Sequence, residues 1–249
     1  GEYLSFLDGD DWLDNTFLEK MYYKAKETGA DFVECDVWRY NDHSHEKNRY
    51  SCYGALGVDF TKEEHMIYGY GAIWNLLIHK VFWDKYQFRF EACHSESAPL
   101  YAAMIAKANK VVNVKEALYY YRRFRSGSRT MMHKTDKEAS VVGIRAFEYL
   151  IENFHRLDLI ETYGECLERI IKFKMANLMS AFFYRMNSEE YHFLSDKYYE
   201  FIVHNFPKEK EMKYLTWGGY NLNRVLWHAK YLHNPYGRFQ FSSLISLMN

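Results

Sequence analysis

Three aspartates stand close together near the start of the chain, in the run Asp8-Gly9-Asp10-Asp11. They follow residues 3–7, a short apolar and aromatic stretch that predicts a buried strand. Carboxylate oxygens are the ligands that Mg²⁺ and Mn²⁺ prefer, and a divalent metal at such a strand end can neutralise the charge of a diphosphate. The pattern therefore predicts a metal site directly after a strand.

Three other interpretations of this run compete with the metal site. An EF-hand loop fits Asp8 and Asp10, but Trp12 and Leu13 stand where it needs a further oxygen ligand and a glycine, so we exclude it. A phosphatase of the aspartyl-phosphate type would use Asp8 as its nucleophile, but it expects a small residue where the chain has Asp11 and Trp12. A plain turn before a helix remains open, because Asp and Gly are common in turns.

The segments after the aspartates predict an α/β sheet. Asp14 or Asn15 is a suitable N-cap, apolar residues then recur at helical spacing, and Gly29 ends the helix. Residues 31–40 are rich in strand formers, so the order is strand, helix, strand. Further strands are predicted at 88–90, 111–114 and 117–123, and a helix at 98–110.

The chain changes character near residue 130. From there on the pattern is helical, with almost no strand signal. Helices are predicted at 141–154, 167–182 and 191–206, with a fourth from about residue 220 to 232. We therefore divide the chain into an α/β part, residues 1–130, and a helical part, residues 131–249.

Composition excludes several classes of protein. With 48% hydrophobic and 26% charged residues over 249 positions, the chain is typical of a globular protein. Its 32 basic and 33 acidic residues give no overall field that would attract nucleic acid. Cys35, Cys52, Cys93 and Cys166 form no C-x-x-C pair, which argues against a zinc ribbon or a disulfide framework. We expect a cytoplasmic protein.

The run Phe6-Leu7-Asp8-Gly9-Asp10-Asp11-Trp12-Leu13 resembles the metal-binding D-x-D segment of family 2 glycosyltransferases, whose typical form is an apolar strand followed by D-S-D-D-W-L. Further matches follow in the family's order: Ile73-Trp74-Asn75, Phe88-Arg89-Phe90, the acidic segment around Glu96, Ala117-Leu118-Tyr119-Tyr120-Tyr121-Arg122 and Gly127-Ser128. They cover roughly residues 1–130. The resemblance implies that this part is the C-terminal half of a GT-A domain, which contains a Rossmann-like mixed sheet.

The resemblance also implies roles for individual residues. It assigns Asp8 and Asp10 to Mn²⁺ or Mg²⁺, Asp11 and Arg122 to the donor, and Trp74 and Asn75 to the acceptor. Two alternatives stay open: Trp74 is a plain core residue, or Arg122 belongs to a solvated basic loop.

The catalytic base is where this chain departs from the family. The family supplies an acidic pair, E-D, at the start of a helix, and this pair falls on Glu96 and Ser97. Because serine cannot act as a carboxylate base, either Glu96 takes the proton, or the register shifts to an acid such as Glu91, or the protein is weakened or inactive. Glu96 as a plain acid at a helix start is the simpler explanation.

Taken together, the resemblance implies that a sugar moves from a nucleotide-diphosphate donor to a hydroxyl of a saccharide or lipid-linked acceptor. We expect inversion, and a place in bacterial surface polysaccharide or glycolipid synthesis. The alternative is a non-catalytic member of the same fold that binds a sugar or a partner, as Ser97 would suggest.

Two further expectations concern the ends of the chain. The aromatic and basic stretch from Lys213 to Arg238 motivates a peripheral contact with the inner face of the membrane, against the simpler hypothesis of a helical layer on the catalytic domain. The family's nucleotide-binding half precedes the D-x-D strand, so we expect about 80–100 more residues upstream, judged from the usual size of α/β units.

Overall fold

The computed structural model describes residues 1–52, 60–91, 96–125, 141–183, 188–206, 216–217 and 220–221. The chain divides into two compact units. The first comprises Gly1–Met131 and Arg145–Ile170, and the second comprises Met132–Ile144 and Ile171–Asn249.

A six-stranded mixed sheet organises the first unit. Its strands are β1 (Tyr3–Leu4), β2 (Trp12–Leu13), β3 (Phe32–Asn41), β4 (Lys47–Tyr50), β5 (Leu76–His79) and β6 (Val111–Arg123). The order is β1-β5-β3-β6-β2, with β4 paired to β3. Strands β3 and β6 run parallel and the other pairs are antiparallel. The predicted mixed α/β fold is therefore confirmed.

The long central pair, β3 and β6, contains an irregularity that the sequence did not reveal. Cys35 pairs with Val114, Asp36 with Ala117 and Val37 with Tyr119, so the register shifts twice, first at Lys115 and Glu116 and then at Leu118. The two predicted strands, 111–114 and 117–123, are the two parts of one strand of 13 residues that contains this irregularity.

Helix α1 (Phe17–Thr28) covers the sheet with its apolar face. Its buried residues form one cluster with the sheet, which includes Phe17, Met21, Ala25, Val33, Cys35, Val37 and Leu118. Gly29 ends the helix in the left-handed conformation, φ +62°, as predicted. The residue at the N-cap is Thr16, not the predicted Asp14 or Asn15. The Asp14 Oδ1 accepts hydrogen bonds from the backbone N–H (2.9 Å) and the hydroxyl (2.7 Å) of Thr16.

A second group of helices includes α2 (Lys62–Tyr68), α3 (Lys80–Lys85) and α4 (Ser97–Lys107). A buried polar network joins β3, α2 and α4. The Glu34 carboxylate lies 3.0 Å from His65 Nε2 and accepts the Tyr101 hydroxyl at 2.8 Å, and that hydroxyl lies 2.7 Å from His65 Nε2. Glu34 is 0% exposed, so its charge is satisfied within the protein rather than by water.

The remaining helices are α5 (Ile144–Arg156), α6 (Ile160–Phe183) and α7 (Ser188–Asn205). In the first unit, the Tyr149 hydroxyl of α5 donates to the Arg89 carbonyl, and Arg156 donates to the Tyr86 carbonyl at 2.9 Å. In the second unit the buried residues include Ile171, Met175, Leu194, Tyr198, Phe201 and Ile202. No described helix is both long and apolar enough to cross a bilayer.

Two segments differ from the sequence pattern. Residues 88–90 form no strand; Phe88 is buried instead, with its ring 5.2 Å from that of Phe82. A short hairpin, β7 (Thr216–Trp217) and β8 (Tyr220–Asn221), stands where a helix was predicted to begin. Its β-branched and aromatic residues favour strands. Apart from this hairpin, the basic and aromatic stretch 213–238 lies outside the described residues.

Candidate active site

The three aspartates lie in a tight loop between β1 and β2. We call residues 8–11 the acid loop. The backbone N–H of Asp11 donates to the Asp8 carbonyl at 3.1 Å, which closes the turn. Strand β2 then pairs with β6, Leu13 opposite Tyr119 and Trp12 opposite Tyr120. The acid loop is therefore anchored to a strand more than 100 residues further along the chain.

Asp11 is engaged by the protein at both carboxylate oxygens. Its Oδ2 accepts the Tyr119 hydroxyl at 2.7 Å, and its Oδ1 accepts the backbone N–H of Arg122 at 2.8 Å. Burial raises the pKa of Asp11 to about 6, and these two hydrogen bonds only partly offset that rise. The geometry suits a residue that positions the acid loop better than one that contacts a ligand directly.

Tyr119 holds the acid loop at two points. Its hydroxyl donates to Asp11 and also accepts the backbone N–H of Asp8 at 3.3 Å. Burial, with the neighbouring Asp11 carboxylate, raises the pKa of Tyr119 well above its ordinary value, so the hydroxyl keeps its proton and stays a donor. The sequence indicates Tyr119 only as a position of a motif, because strand spacing alone does not show which carboxylate a tyrosine reaches.

Asp8 and Asp10 are accessible to solvent. Asp8 is exposed, and Asp10 is partly exposed with Oδ2 2.9 Å from Nε of Arg125. The Asp10 carboxylate is therefore paired with a guanidinium in the folded protein. No group of three or more His, Cys, Asp or Glu side chains suited to a metal occurs among the described residues. Two hard carboxylates still fit a divalent ion, provided that water or diphosphate oxygens complete its coordination.

Arg122 lies beside the acid loop, as the resemblance implies. Its Nε donates to Asp42 Oδ1 at 2.6 Å, and this bond lowers the pKa of Asp42. The backbone of Arg122 binds Asp11, so one residue links the acid loop to the end of β3. Arg122 thus belongs to β6, and its side chain, which is 36% exposed, is oriented by the Asp42 carboxylate.

Trp74 and Asn75 have different surroundings. Trp74 is partly buried and stacks on Tyr119 at 4.2 Å and on Tyr121 at 5.4 Å between ring centroids. Trp74 therefore contacts the ring of Tyr119, whose hydroxyl bonds Asp11 of the acid loop. Asn75 is 1% exposed, and its Nδ2 donates to the Cys35 carbonyl at 2.8 Å. This placement favours a role for Asn75 in fixing its segment to β3 over direct contact with an acceptor.

Glu96 directly precedes α4, and Ser97 is the first residue of that helix. The Glu96 side chain is partly exposed and makes no capping hydrogen bond. The start of α4 packs against the loop before Trp74, since a side chain at Gly71 would meet the Cβ of Ala98 at 3.5 Å. The fold therefore places the Glu96 segment beside the Trp74 segment.

Residues 1–93 match the sequence model of Glycosyl transferase family 2. A search of solved structures found the crystal structure of S. aureus TarS 1-349 in complex with UDP, with 11% identity, a TM-score of 0.49, and coverage of 87% of this chain and 69% of that chain. The complex of TarS 1-349 with UDP-GlcNAc shows 12% identity, a TM-score of 0.40, and coverage of 87% and 70%. Comparison with curated proteins found no match.

Proposed function

We propose, on the premise that residues 1–93 are a segment of glycosyl transferase family 2, that the protein transfers a sugar from a nucleotide-diphosphate donor to an acceptor hydroxyl with inversion. The observation that carries the proposal is the acid loop. Tyr119 and the backbone of Arg122 fix Asp11, while Asp8 is exposed and Asp10 is partly exposed. The acceptor is a saccharide or a lipid-linked saccharide in bacterial surface polysaccharide or glycolipid synthesis.

The acid loop would act at the leaving group. Asp8 and Asp10 would hold Mn²⁺ or Mg²⁺, which when bound stabilises the negative charge that grows on the departing diphosphate. Arg125 adds positive charge beside Asp10, and the Arg122 guanidinium, which pairs with Asp42, is close enough to Asp10 for the two charges to interact. Asp11 keeps the acid loop in place through Tyr119.

The acceptor side needs a base and a surface for the sugar. The acceptor oxygen attacks the anomeric carbon on the face opposite the diphosphate, and the carbon–oxygen bond to the diphosphate breaks with its electron pair. The hydroxyl proton passes to the Glu96 carboxylate. Trp74 offers an aromatic face to the sugar ring, and its stacking on Tyr119 holds it near the acid loop.

Release of nucleoside diphosphate in the presence of Mn²⁺ tests this function, with a panel of nucleotide sugars and of saccharide and lipid-linked acceptors. We expect Glu96→Gln to lower turnover by about a hundredfold, a usual loss for a general base, and Ser97→Ala to leave it near the wild-type rate. Donor and metal binding without turnover on any acceptor would instead favour the non-catalytic alternative.

Tyr119→Phe tests the support of the acid loop. Because the variant removes the hydroxyl that bonds Asp11 and Asp8, we expect turnover to fall about tenfold and the half-activating Mn²⁺ concentration to rise. Tyr86→Phe is the control, since Tyr86 lies at the end of α3, where its ring is 5.4 Å from that of Phe82. An unchanged Mn²⁺ requirement in Tyr119→Phe would show that the hydroxyl is structural only.

A further inference from the structure

We propose that the first unit carries a phosphate-binding cleft on the acceptor side of the acid loop, so that the acceptor is a phosphate-bearing saccharide or polyol. The nature of the acceptor rests on the proposed function, whereas the binding of phosphate in the cleft can be measured without it. The cleft has a volume of about 410 Å³ and lies where β3, β4 and β6 meet. Its lining includes Arg39, Asn41, Glu46, Asn48, Arg123 and Phe124.

Strand register brings the polar side chains of the cleft together. Arg39 lies opposite Asn48 across β3 and β4, and Asn41 lies opposite Arg123 across β3 and β6. Arg39 and Asn41 are two residues apart on one strand and therefore share a face of the sheet. Two guanidinium groups and two amides thus converge on one surface.

Neither arginine of the cleft is neutralised by a carboxylate. Arg39 lies over the rings of Tyr50 at 3.6 Å and Tyr70 at 5.7 Å, and Arg123 lies over Phe124 at 4.9 Å. In the described part of the chain no carboxylate lies within ion-pair distance of Arg39 or Arg123. Guanidinium groups stacked on aromatic rings keep their N–H donors in a fork that matches the oxygens of a phosphate.

The arginines next to the cleft behave differently. Arg49 pairs with Asp36 at 2.6 Å, and Arg122 pairs with Asp42 at 2.6 Å. Glu46 is a carboxylate of the lining, and its Oε2 accepts the Ser44 hydroxyl at 3.3 Å. The positive charge of the cleft is therefore specific to Arg39 and Arg123, because the ammonium of Lys47 lies over the rings of Trp38 and Tyr120 on the opposite face of the sheet.

An aromatic path connects the cleft with the acid loop. Arg39 pairs in register with Tyr121, and Trp74 stacks on both Tyr121 and Tyr119. The Tyr119 hydroxyl then reaches Asp11. Tyr119 is 0% exposed, so the rings that remain partly exposed between the acid loop and the arginines of the cleft are those of Trp74 and Tyr121.

Phe124 supports the assignment through its backbone. It is a bulky residue with φ +63°, a left-handed conformation that costs energy for any residue with a side chain. Its side chain is 39% exposed at the wall of the cleft, so apolar burial does not repay that cost. The backbone bond from Asp42 N–H to the Arg123 carbonyl, 3.0 Å, holds the turn. Strain kept at an exposed wall is typical of a functional surface.

Calorimetric titration of the protein with a short glycerol-phosphate oligomer tests the cleft. Chelator is added so that the acid loop holds no metal. We expect Arg39→Gln and Arg123→Gln each to weaken binding about fivefold, and the double variant at least about tenfold, because each removes a charge-assisted contact. Arg123→Gln keeps the test valid if Arg39→Gln disturbs β3. Lys85→Gln is the matched control, since Lys85 also lies over a tyrosine ring (Tyr86, 5.0 Å) but outside the cleft.

Equal affinity in the cleft variants and in Lys85→Gln would overturn the proposal. So would binding of inorganic phosphate alone with no gain for the oligomer, or binding only to phosphatidylglycerol vesicles, which would indicate a lipid headgroup. Because the titration needs neither donor nor turnover, loss of oligomer binding in the variants supports the cleft even if no nucleotide sugar is used. If sugar transfer is observed but the cleft variants bind the oligomer as tightly as the wild type, the cleft is rejected and the proposed function is not.

Discussion

Asp10→Asn is expected to lower sugar transfer about a thousandfold, because the carboxylate that would stabilise the leaving group through a divalent ion loses its charge. Asparagine has nearly the same shape, so the turn of the acid loop should persist. The Asp11 contacts with Tyr119 and Arg122 do not involve Asp10 and should also persist. The measurement is nucleoside diphosphate release across a range of Mn²⁺ concentrations, combined with a thermal unfolding curve.

The matched control for Asp10 is Asp84→Asn. Asp84 is also exposed and also pairs with a basic side chain, that of Lys80, but it lies on α3. Its removal should leave turnover within about twofold of the wild type, since exposed ion pairs contribute little. If Asp10→Asn keeps normal turnover at every Mn²⁺ concentration, the acid loop is only a turn.

Glu34→Ala is expected to lower the free energy of unfolding by about 3 kcal/mol, because it removes one partner of a buried, hydrogen-bonded polar group. His65 and Tyr101 would lose the carboxylate that each of them contacts. Urea denaturation of the whole chain measures the change. Glu34→Gln retains one carbonyl acceptor and should cost roughly half as much.

Glu27→Ala is the control for Glu34. Glu27 is an exposed glutamate on α1 whose carboxylate lies 3.0 Å from Lys24, and its removal should change stability by less than about 0.5 kcal/mol. Equal losses in the two variants would show that the buried network contributes nothing beyond a surface ion pair. Because Tyr101 belongs to α4, whose first residue follows Glu96, we also expect reduced turnover in Glu34→Ala.

Local patterns in the sequence were sufficient for the helix and the strand that follow the acid loop. The helical spacing up to Gly29 and the strand formers after Asp31 each act over a few residues. The prediction of a buried strand over residues 3–7 was wrong in length and burial, because the strand comprises only Tyr3–Leu4, is partly buried, and leaves Leu7 52% exposed. The register irregularity at Lys115 and Glu116 does not follow from local patterns, because a bulge depends on the partner strand.

The resemblance placed Asp8, Asp10 and Arg122 at one site, and the structure brings these segments together. It did not reveal Tyr119 as the support of Asp11, or the pairing of Asp10 with Arg125. Asn75 shows the opposite case: the motif suggests an acceptor contact, but the side chain is buried against β3.

The sequence by itself determined which residue types are available: hard carboxylates after a strand, aromatic residues on β6, and arginines at the end of that strand. Only the tertiary structure decided which of them meet. The Tyr119–Asp11 bond spans 108 residues and the Tyr101–Glu34 bond spans 67. Such contacts depend on the order and register of strands, and so does the meeting of Arg39 and Arg123 at one cleft. Side-chain type is a local property, whereas a partner is set by the packing of the whole sheet.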